Sequence, residues 1–135
     1  MTTTTQRLAF IFGIGFLIAA AAGFAATGMG NMDPDPATAP RALGLFPVNV
    51  LHNFVHLIFG GWGLIAARHS FSSAKKYGQI GGVVYLVLAV LGFVSPTTFG
   101  LIPIGGNDIW LHLVLGLGLA AFGFTARDTA PQRVA

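Results

Sequence analysis

Two histidines four positions apart, His52 and His56, lie in the otherwise apolar segment VNVLHNFVHLIFGGWG. A second pair with the same spacing, Asp108 and His112, lies in the segment NDIWLHLVLGLG. Residues four apart on a helix share one face, so each pair can direct its side chains to one point. Because the chain has no cysteine, thiolate ligands are excluded. Three imidazoles and a carboxylate suit zinc, copper or iron, and the spacing predicts a metal site of His52, His56, Asp108 and His112.

The same residues are open to two other interpretations. His56 and His112 are each followed four residues later by a glycine, which would leave room for a flat macrocycle. Under this interpretation, His56 and His112 are the axial ligands of a haem, or each is the ligand of a chlorophyll-type pigment. Under the other, an Asp–His hydrogen bond joins two helices and has no further role, because buried polar groups need partners but need only one another. The spacing alone does not choose among the three.

The composition indicates which elements carry these residues. Of the 135 residues, 54% are hydrophobic and 8% are charged, whereas about a quarter of the residues of a soluble domain are charged. The charged residues leave uncharged stretches of 25, 26, 31 and 18 residues, and a membrane-spanning helix needs about 20. We predict membrane-spanning helices near 8–27, 49–67, 77–94 and 108–126.

The chain contains two copies of one unit. An offset of 56 positions aligns GLFPVNVLHNFVHLIFG with GLIPIGGNDIWLHLVLG without a gap, so that His56 matches His112 and His52 matches Asp108. Two hairpins of this kind would bury their polar, small-residue faces against each other. The predicted fold is all-α, an integral membrane four-helix bundle made of two tandem helical hairpins. We expect one domain over 1–135, with repeat units near 7–68 and 76–127.

Basic residues mark one side of the predicted bundle. They lie at the N-terminus, around RHSFSSAKKYG and at the C-terminus, whereas the other two loops carry Arg41 with Asp33, Asp35 and Asp108. By the positive-inside rule, both termini are cytoplasmic and the histidine pairs lie toward the outer face. Because these charges are explained by topology, the formal charge of +3 does not support nucleic-acid binding. The expected partners are the lipid bilayer and other membrane protein subunits.

The two histidine segments resemble those of a known family. The paired motifs of one bacterial family are similar to VNVLHNFVHLIFGGWGL and GLIPIGGNDIWLHLVLGLG. This is the domain-of-unknown-function family numbered 4383, whose members are small four-helix membrane proteins. The resemblance runs from Arg7 to about Arg127 and implies four membrane spans, without an established activity. We expect the protein to lie in the bacterial inner membrane. The positions that it marks are His52, Asn53, His56, Asp108 and His112.

The expected function is that of a small accessory or binding protein whose His/Asp cluster holds a transition metal or haem. One alternative is a structural subunit of a larger membrane complex, in which the cluster joins helices. The other is a component of a membrane oxidoreductase. Because a small bundle with short loops has little room for a substrate domain, a catalytic role is less expected than a binding role.

Overall fold

The computed structural model describes residues 1–127, which form a bundle of four helices. All four helices are long and apolar enough to cross a membrane. The all-α fold class and the four predicted spans are thus confirmed, whereas the predicted C-terminal end of the domain, 128–135, lies outside the described residues. The elements are α1 (Thr4–Thr27), β1 (Arg41–Ala42), β2 (Phe46–Pro47), α2 (Val50–His69), α3 (Phe71–Val94) and α4 (Asn107–Thr125).

Polar caps determine where α1 and α3 begin. At α1, the Thr3 hydroxyl accepts a bond from the Gln6 backbone while the Gln6 side chain accepts one from the Thr3 backbone, which forms a capping box. At α3, the Ser70 hydroxyl accepts a bond from the Ser73 backbone. Because α2 ends at His69 and α3 begins at Phe71, the two helices are separated by one residue. The prediction of a loop around RHSFSSAKKYG was therefore wrong.

The two helices of each hairpin are in close backbone contact. In the first hairpin, a Cβ atom at Gly60 would lie 2.6 Å from the side chain of Leu17 and 3.0 Å from the carbonyl oxygen of Gly13. In the second, a Cβ atom at Gly82 would lie 2.6 Å from the backbone nitrogen of Ala120. Glycine is required at these positions because it alone leaves space for the neighbouring helix, as is common in membrane bundles.

Aromatic rings fill much of the space between the two hairpins. Phe16 of α1 packs against Tyr85 of α3 with ring centroids 4.9 Å apart. Trp62 of α2 packs edge-on against Tyr77 of α3 at 5.0 Å. Both tyrosines are fully buried. Ring packing therefore sets much of the separation between the hairpins, whereas close backbone contacts at glycines set the separation within each hairpin.

The two ends of the bundle differ in charge. At one end, Gln6 Nε2 donates to the carbonyl oxygen of Ala67 at 2.9 Å, and Lys75 Nζ donates to that of Ala126 at 2.8 Å. These bonds bring together the start of α1 with the end of α2, and the start of α3 with the end of α4. We call this end of the bundle the basic end, since Arg68 also lies there. We call the opposite end, at which α2 and α4 begin, the histidine end.

The α1–α2 loop folds over the histidine end. Its two short strands pair antiparallel, with Arg41 opposite Pro47. The Val48 backbone nitrogen donates to the carbonyl oxygen of Pro40 at 2.8 Å, and both Ala42 and Val48 are buried. The loop is thus partly packed against the bundle.

The close contact between α3 and α4 can be tested at Gly82. We expect Gly82→Ala to lower the free energy of unfolding by about 1–3 kcal/mol, because the added methyl group would overlap the backbone of Ala120. A Cβ atom at Gly61 meets no atom within 4 Å, so Gly61→Ala should leave stability unchanged or raise it by up to about 1 kcal/mol. Thermal unfolding in detergent measures both, and equal melting temperatures would contradict the contact.

Candidate functional site

Three imidazoles, from His52, His56 and His112, converge between the hairpins. One ligand nitrogen from each ring lies within 4.8 Å of the other two. The ring centroids are 4.5 Å apart for His52 and His56, 5.5 Å for His52 and His112, and 6.4 Å for His56 and His112. Each residue is at most 4% exposed. The structure therefore brings together three of the four residues predicted as metal ligands, and we call them the histidine cluster.

Asp108, the fourth predicted residue, lies beside the histidine cluster. Its Oδ2 atom is 3.3 Å from His112 Nδ1 and 3.9 Å from His52 Nε2, and the side chain is 1% exposed. The longer separation exceeds hydrogen-bond distance. The set of mutually close ligand atoms consists of the three histidines without Asp108. Asp108 is thus placed to orient a histidine and to supply negative charge next to the cluster.

A backbone contact fixes the orientation of His112. Its Nδ1 atom lies 2.8 Å from the carbonyl oxygen of Asp108. A carbonyl oxygen can only accept, so Nδ1 carries the hydrogen and donates it. In the neutral ring the lone pair is then on Nε2. Metal-binding histidines are commonly held in this way by a carbonyl or a carboxylate at the second nitrogen.

The other two imidazoles have unmet hydrogen-bonding capacity. Neither ring nitrogen of His52, and neither of His56, has a hydrogen-bond partner within residues 1–127. Buried polar groups are nearly always paired, and leaving one unpaired costs about 1–3 kcal/mol. Four buried nitrogens with unmet hydrogen-bonding capacity thus lie close together in the histidine cluster.

Asn49 positions the helix that carries His52 and His56. Its Oδ1 atom accepts a bond from the His52 backbone nitrogen at 2.8 Å, which caps α2. Its Nδ2 atom donates to the carbonyl oxygen of Leu101 at 2.8 Å, in the α3–α4 loop. Asn49 is fully buried. One side chain thus begins α2 and attaches it to the second hairpin.

Asn53, which the family resemblance marks, contacts α1 and not the histidine cluster. Its Nδ2 atom donates to the hydroxyl of Thr27 at 2.8 Å. A Cβ atom at Gly23 would collide with the Asn53 side chain, so glycine at this position of α1 makes room for it. Asn53 therefore joins α2 to α1 and is separate from the histidine cluster.

Two aromatic residues border the histidine cluster without having been predicted as site residues. The Tyr85 ring stacks on His112, with centroids 5.2 Å apart and planes at 18°. Phe16 lies 5.8 Å from the His56 ring. Tyr85 shares a helix face with glycines of α3, and that pattern was a usable signal. Phe16 is one of 12 phenylalanines, and nothing in its spacing distinguishes it.

The glycines that follow the histidines serve helix packing. A Cβ atom at Gly60 would overlap Leu17, and one at Gly116 would lie 2.8 Å from the backbone nitrogen of Leu86. Neighbouring helices thus occupy the space that a macrocycle would need at these two positions. The argument for haem from these glycines was wrong, while the assignment of His56 and His112 as haem ligands stays a prediction.

The two roles of Asn49 can be separated by substitution. We expect Asn49→Ala to lower the free energy of unfolding by about 2–3 kcal/mol, because it removes both the cap and the bond to Leu101. Asn49→Ser should cost about 1 kcal/mol less, since serine also caps helices but is too short to reach Leu101. Thermal unfolding measures both, and wild-type stability of Asn49→Ala would contradict these roles.

Comparison with known proteins finds one family that matches the chain. The model of one family, described as a domain of unknown function (DUF4383), matches residues 6–125. The matched range contains the histidine cluster, Asp108 and nearly all of the four helices. No curated protein and no solved structure matches the chain. The resemblance seen in the sequence is confirmed, and the chain belongs to the DUF4383 family.

Proposed function

We propose that this small membrane protein binds one transition-metal ion through His52, His56 and His112. The observation that carries the proposal is the presence of three buried, mutually close imidazoles, two of which lack any hydrogen-bond partner within the described part of the chain. A metal ion would use the lone pairs that the protein leaves free. His112 already has the tautomer that directs its lone pair away from Asp108.

The ligand set favours zinc, copper or iron, for which imidazole is a suitable donor. Zinc–nitrogen bonds of about 2.0–2.1 Å place tetrahedral ligand nitrogens about 3.3 Å apart. The nitrogens here lie within 4.8 Å of one another, so small ring rotations would bring them to that distance. Three protein ligands would leave a fourth position for water, for the Asp108 carboxylate or for another ligand. The nearby carboxylate also offsets part of the cost of placing a cation in an apolar bundle.

The purely structural alternative receives less support. The short contact of Asp108 with His112 lies within α4, so it does not join the hairpins. The pair that crosses between hairpins, His52 and Asp108, is separated by 3.9 Å, which is too long for a hydrogen bond. A metal ion bound by residues of both α2 and α4 would join the hairpins more strongly than this pair does.

We also propose that the chain lies in the bacterial inner membrane with its basic end in the cytoplasm. Arg7, Arg68, Lys75 and Lys76 belong to this end of the helices, and positive residues are retained on the cytoplasmic side. His56 lies six residues after the start of α2, or about 9 Å into the helix. The histidine cluster would then be within reach of the periplasmic surface.

Metal content tests the proposed site. Protein purified in mild detergent, with an affinity tag free of histidine, should contain about one transition-metal ion per chain by elemental analysis. His56→Ala should reduce the metal content at least tenfold, because one of three ligands is lost. His69→Ala is the matched control, since His69 is exposed at the end of α2 and outside the histidine cluster; it should retain the metal.

Two results would contradict metal binding. The first is metal-free wild-type protein whose melting temperature does not change when Zn²⁺, Cu²⁺ or Fe²⁺ is added, since a ligand of the folded state must stabilise it. The second is equal metal content in His56→Ala and His69→Ala. A lower melting temperature of metal-free His56→Ala, without any metal in the wild type, would favour the structural alternative instead.

Membrane orientation can be mapped directly because the chain has no cysteine. Ala37 and Ser72 are exposed and lie in the α1–α2 loop and at the start of α3, respectively. A membrane-impermeant maleimide added to intact spheroplasts should label Ala37→Cys and should leave Ser72→Cys unlabelled until the cells are lysed. The reverse pattern would show that the basic end faces outward.

A further inference from the structure

A lipid-facing groove between α1 and α4 leads to the histidine cluster. It consists of two adjoining cavities of about 290 Å³ and about 180 Å³. Both are lined by Gly15, Ala19, His56 and Leu111, so they adjoin along the same stretch of α1 and α4. Volumes of this order are typical of sites for small molecules.

Small side chains on α1 create the groove. Gly15, Ala19 and Ala22 follow one another at helical spacing and line it. Ile11 and Ile18, which also line it, are 62% and 63% exposed and belong to the surface that faces lipid. The groove is therefore open sideways to the acyl chains of the bilayer. At the histidine end it is bordered by residues of the α1–α2 loop.

The polar lining of the groove is confined to His56 and Asp108. Both ring nitrogens of His56 lack a hydrogen-bond partner among the described residues, and so does the Oδ2 atom of Asp108. His56 is 96% buried from solvent, with an exposed fraction of 4%. A molecule in the groove would thus meet apolar walls along its length and unpaired polar atoms at one place.

We infer that this groove binds a lipid-soluble quinone, with the ring beside His56 and Asp108 and the tail along α1 and α4 past Ile11 and Leu115. A quinone has a neutral polar ring, which can lie about 9 Å below the start of α2 without a charge to desolvate. Its carbonyl oxygens accept hydrogen bonds from an imidazole N–H, and the hydroxyls of the reduced form donate to a carboxylate. Phe16 supplies an aromatic wall at this depth.

Other membrane molecules fit this groove less well. The charged headgroup of a phospholipid stays at the membrane surface, and the carboxylate of a fatty acid would meet another carboxyl group, Asp108, and no lysine or arginine in the groove. An acyl chain alone would leave His56 and Asp108 unpaired. The inference concerns binding and goes beyond the proposed metal site: an imidazole has two nitrogens, so His56 can bind a metal with one and a quinone with the other.

Photolabelling of the protein in nanodiscs tests the inference. The probe is an azido-benzoquinone with a decyl tail, and the competitor is the same quinone without the azide. We expect labelled peptides from 11–22 and from 111–115, with labelling suppressed about tenfold by the competitor. Labelling that spreads over all lipid-facing helices and resists the competitor would show that acyl chains occupy the groove, and would overturn the inference.

A matched pair of variants locates the site. A Cβ atom at Gly15 meets no atom within 4 Å, so Gly15→Leu should fold normally while its side chain fills the groove. Its competed labelling should fall about tenfold. Gly61→Leu is the control, because Gly61 is equally open and lines neither cavity. Equal competed labelling of the two variants would overturn the inference. If Gly15→Leu does not fold, the competition experiment with the wild-type protein still tests it.

Metal analysis of the same samples separates the two proposals. Gly15→Leu should keep its metal, since Gly15 is outside the histidine cluster. Competed labelling of wild-type protein that contains no metal, and whose melting temperature added metal does not change, would refute the metal site while supporting the groove. Metal-loaded wild-type protein without competed labelling would refute the groove while supporting the metal site.

Discussion

The hydrocarbon core of a membrane offers no hydrogen bonds, and this constraint decides how the chain uses its few polar residues. Gln6, Asn49 and Lys75 lie near helix ends and donate to backbone carbonyl groups of neighbouring segments. The imidazoles of His52 and His56 differ, because all four of their nitrogens are buried without a partner in the described chain. Unmet polarity is thus concentrated where α2 and α4 face each other. Such a concentration is costly for stability, and it supports the proposal that the cluster binds a ligand.

Two kinds of packing set the position of the histidine cluster. Glycines such as Gly60 and Gly82 bring the helices of each hairpin together at fixed distance, because backbone atoms of the neighbouring helix leave no space for a Cβ. Aromatic rings then hold the hairpins apart, and the stack of Tyr85 on His112 makes the imidazoles part of that layer. Binding of an ion or a small molecule at the cluster would therefore act on the contact between hairpins. The residues of the site are therefore also residues of the interface between the hairpins.

The sequence predicts the helices and their buried faces well, because the uncharged stretches and the spacing of polar residues leave few alternatives. His52, His56 and Gly60 are indeed buried together. The prediction from the sequence fails at RHSFSSAKKYG, where Lys75 and Lys76 suggested a loop. Lysine and alanine are good helix formers, and the Ser70 side chain caps α3. The distance between α2 and α4 could not be predicted. It depends on how Phe16 and Tyr85 pack between hairpins, and one sequence contains no information on such contacts between distant residues.

The difference between the two repeat units explains the chemistry of the site. Two identical units would place four imidazoles between the hairpins, but Asp108 replaces the counterpart of His52. One carboxylate gives His112 a fixed neighbour at Nδ1 and adds a negative charge that favours a cation. The two interfaces between the hairpins also differ. On the α2–α3 side, Phe59 packs against Tyr85 and Trp62 against Tyr77, whereas on the α1–α4 side the small residues of α1 leave a groove. The repeated sequence thus places polar residues on the same face of α2 and α4. The differences between the two units place a carboxylate next to the imidazoles and leave a groove that reaches them from the lipid.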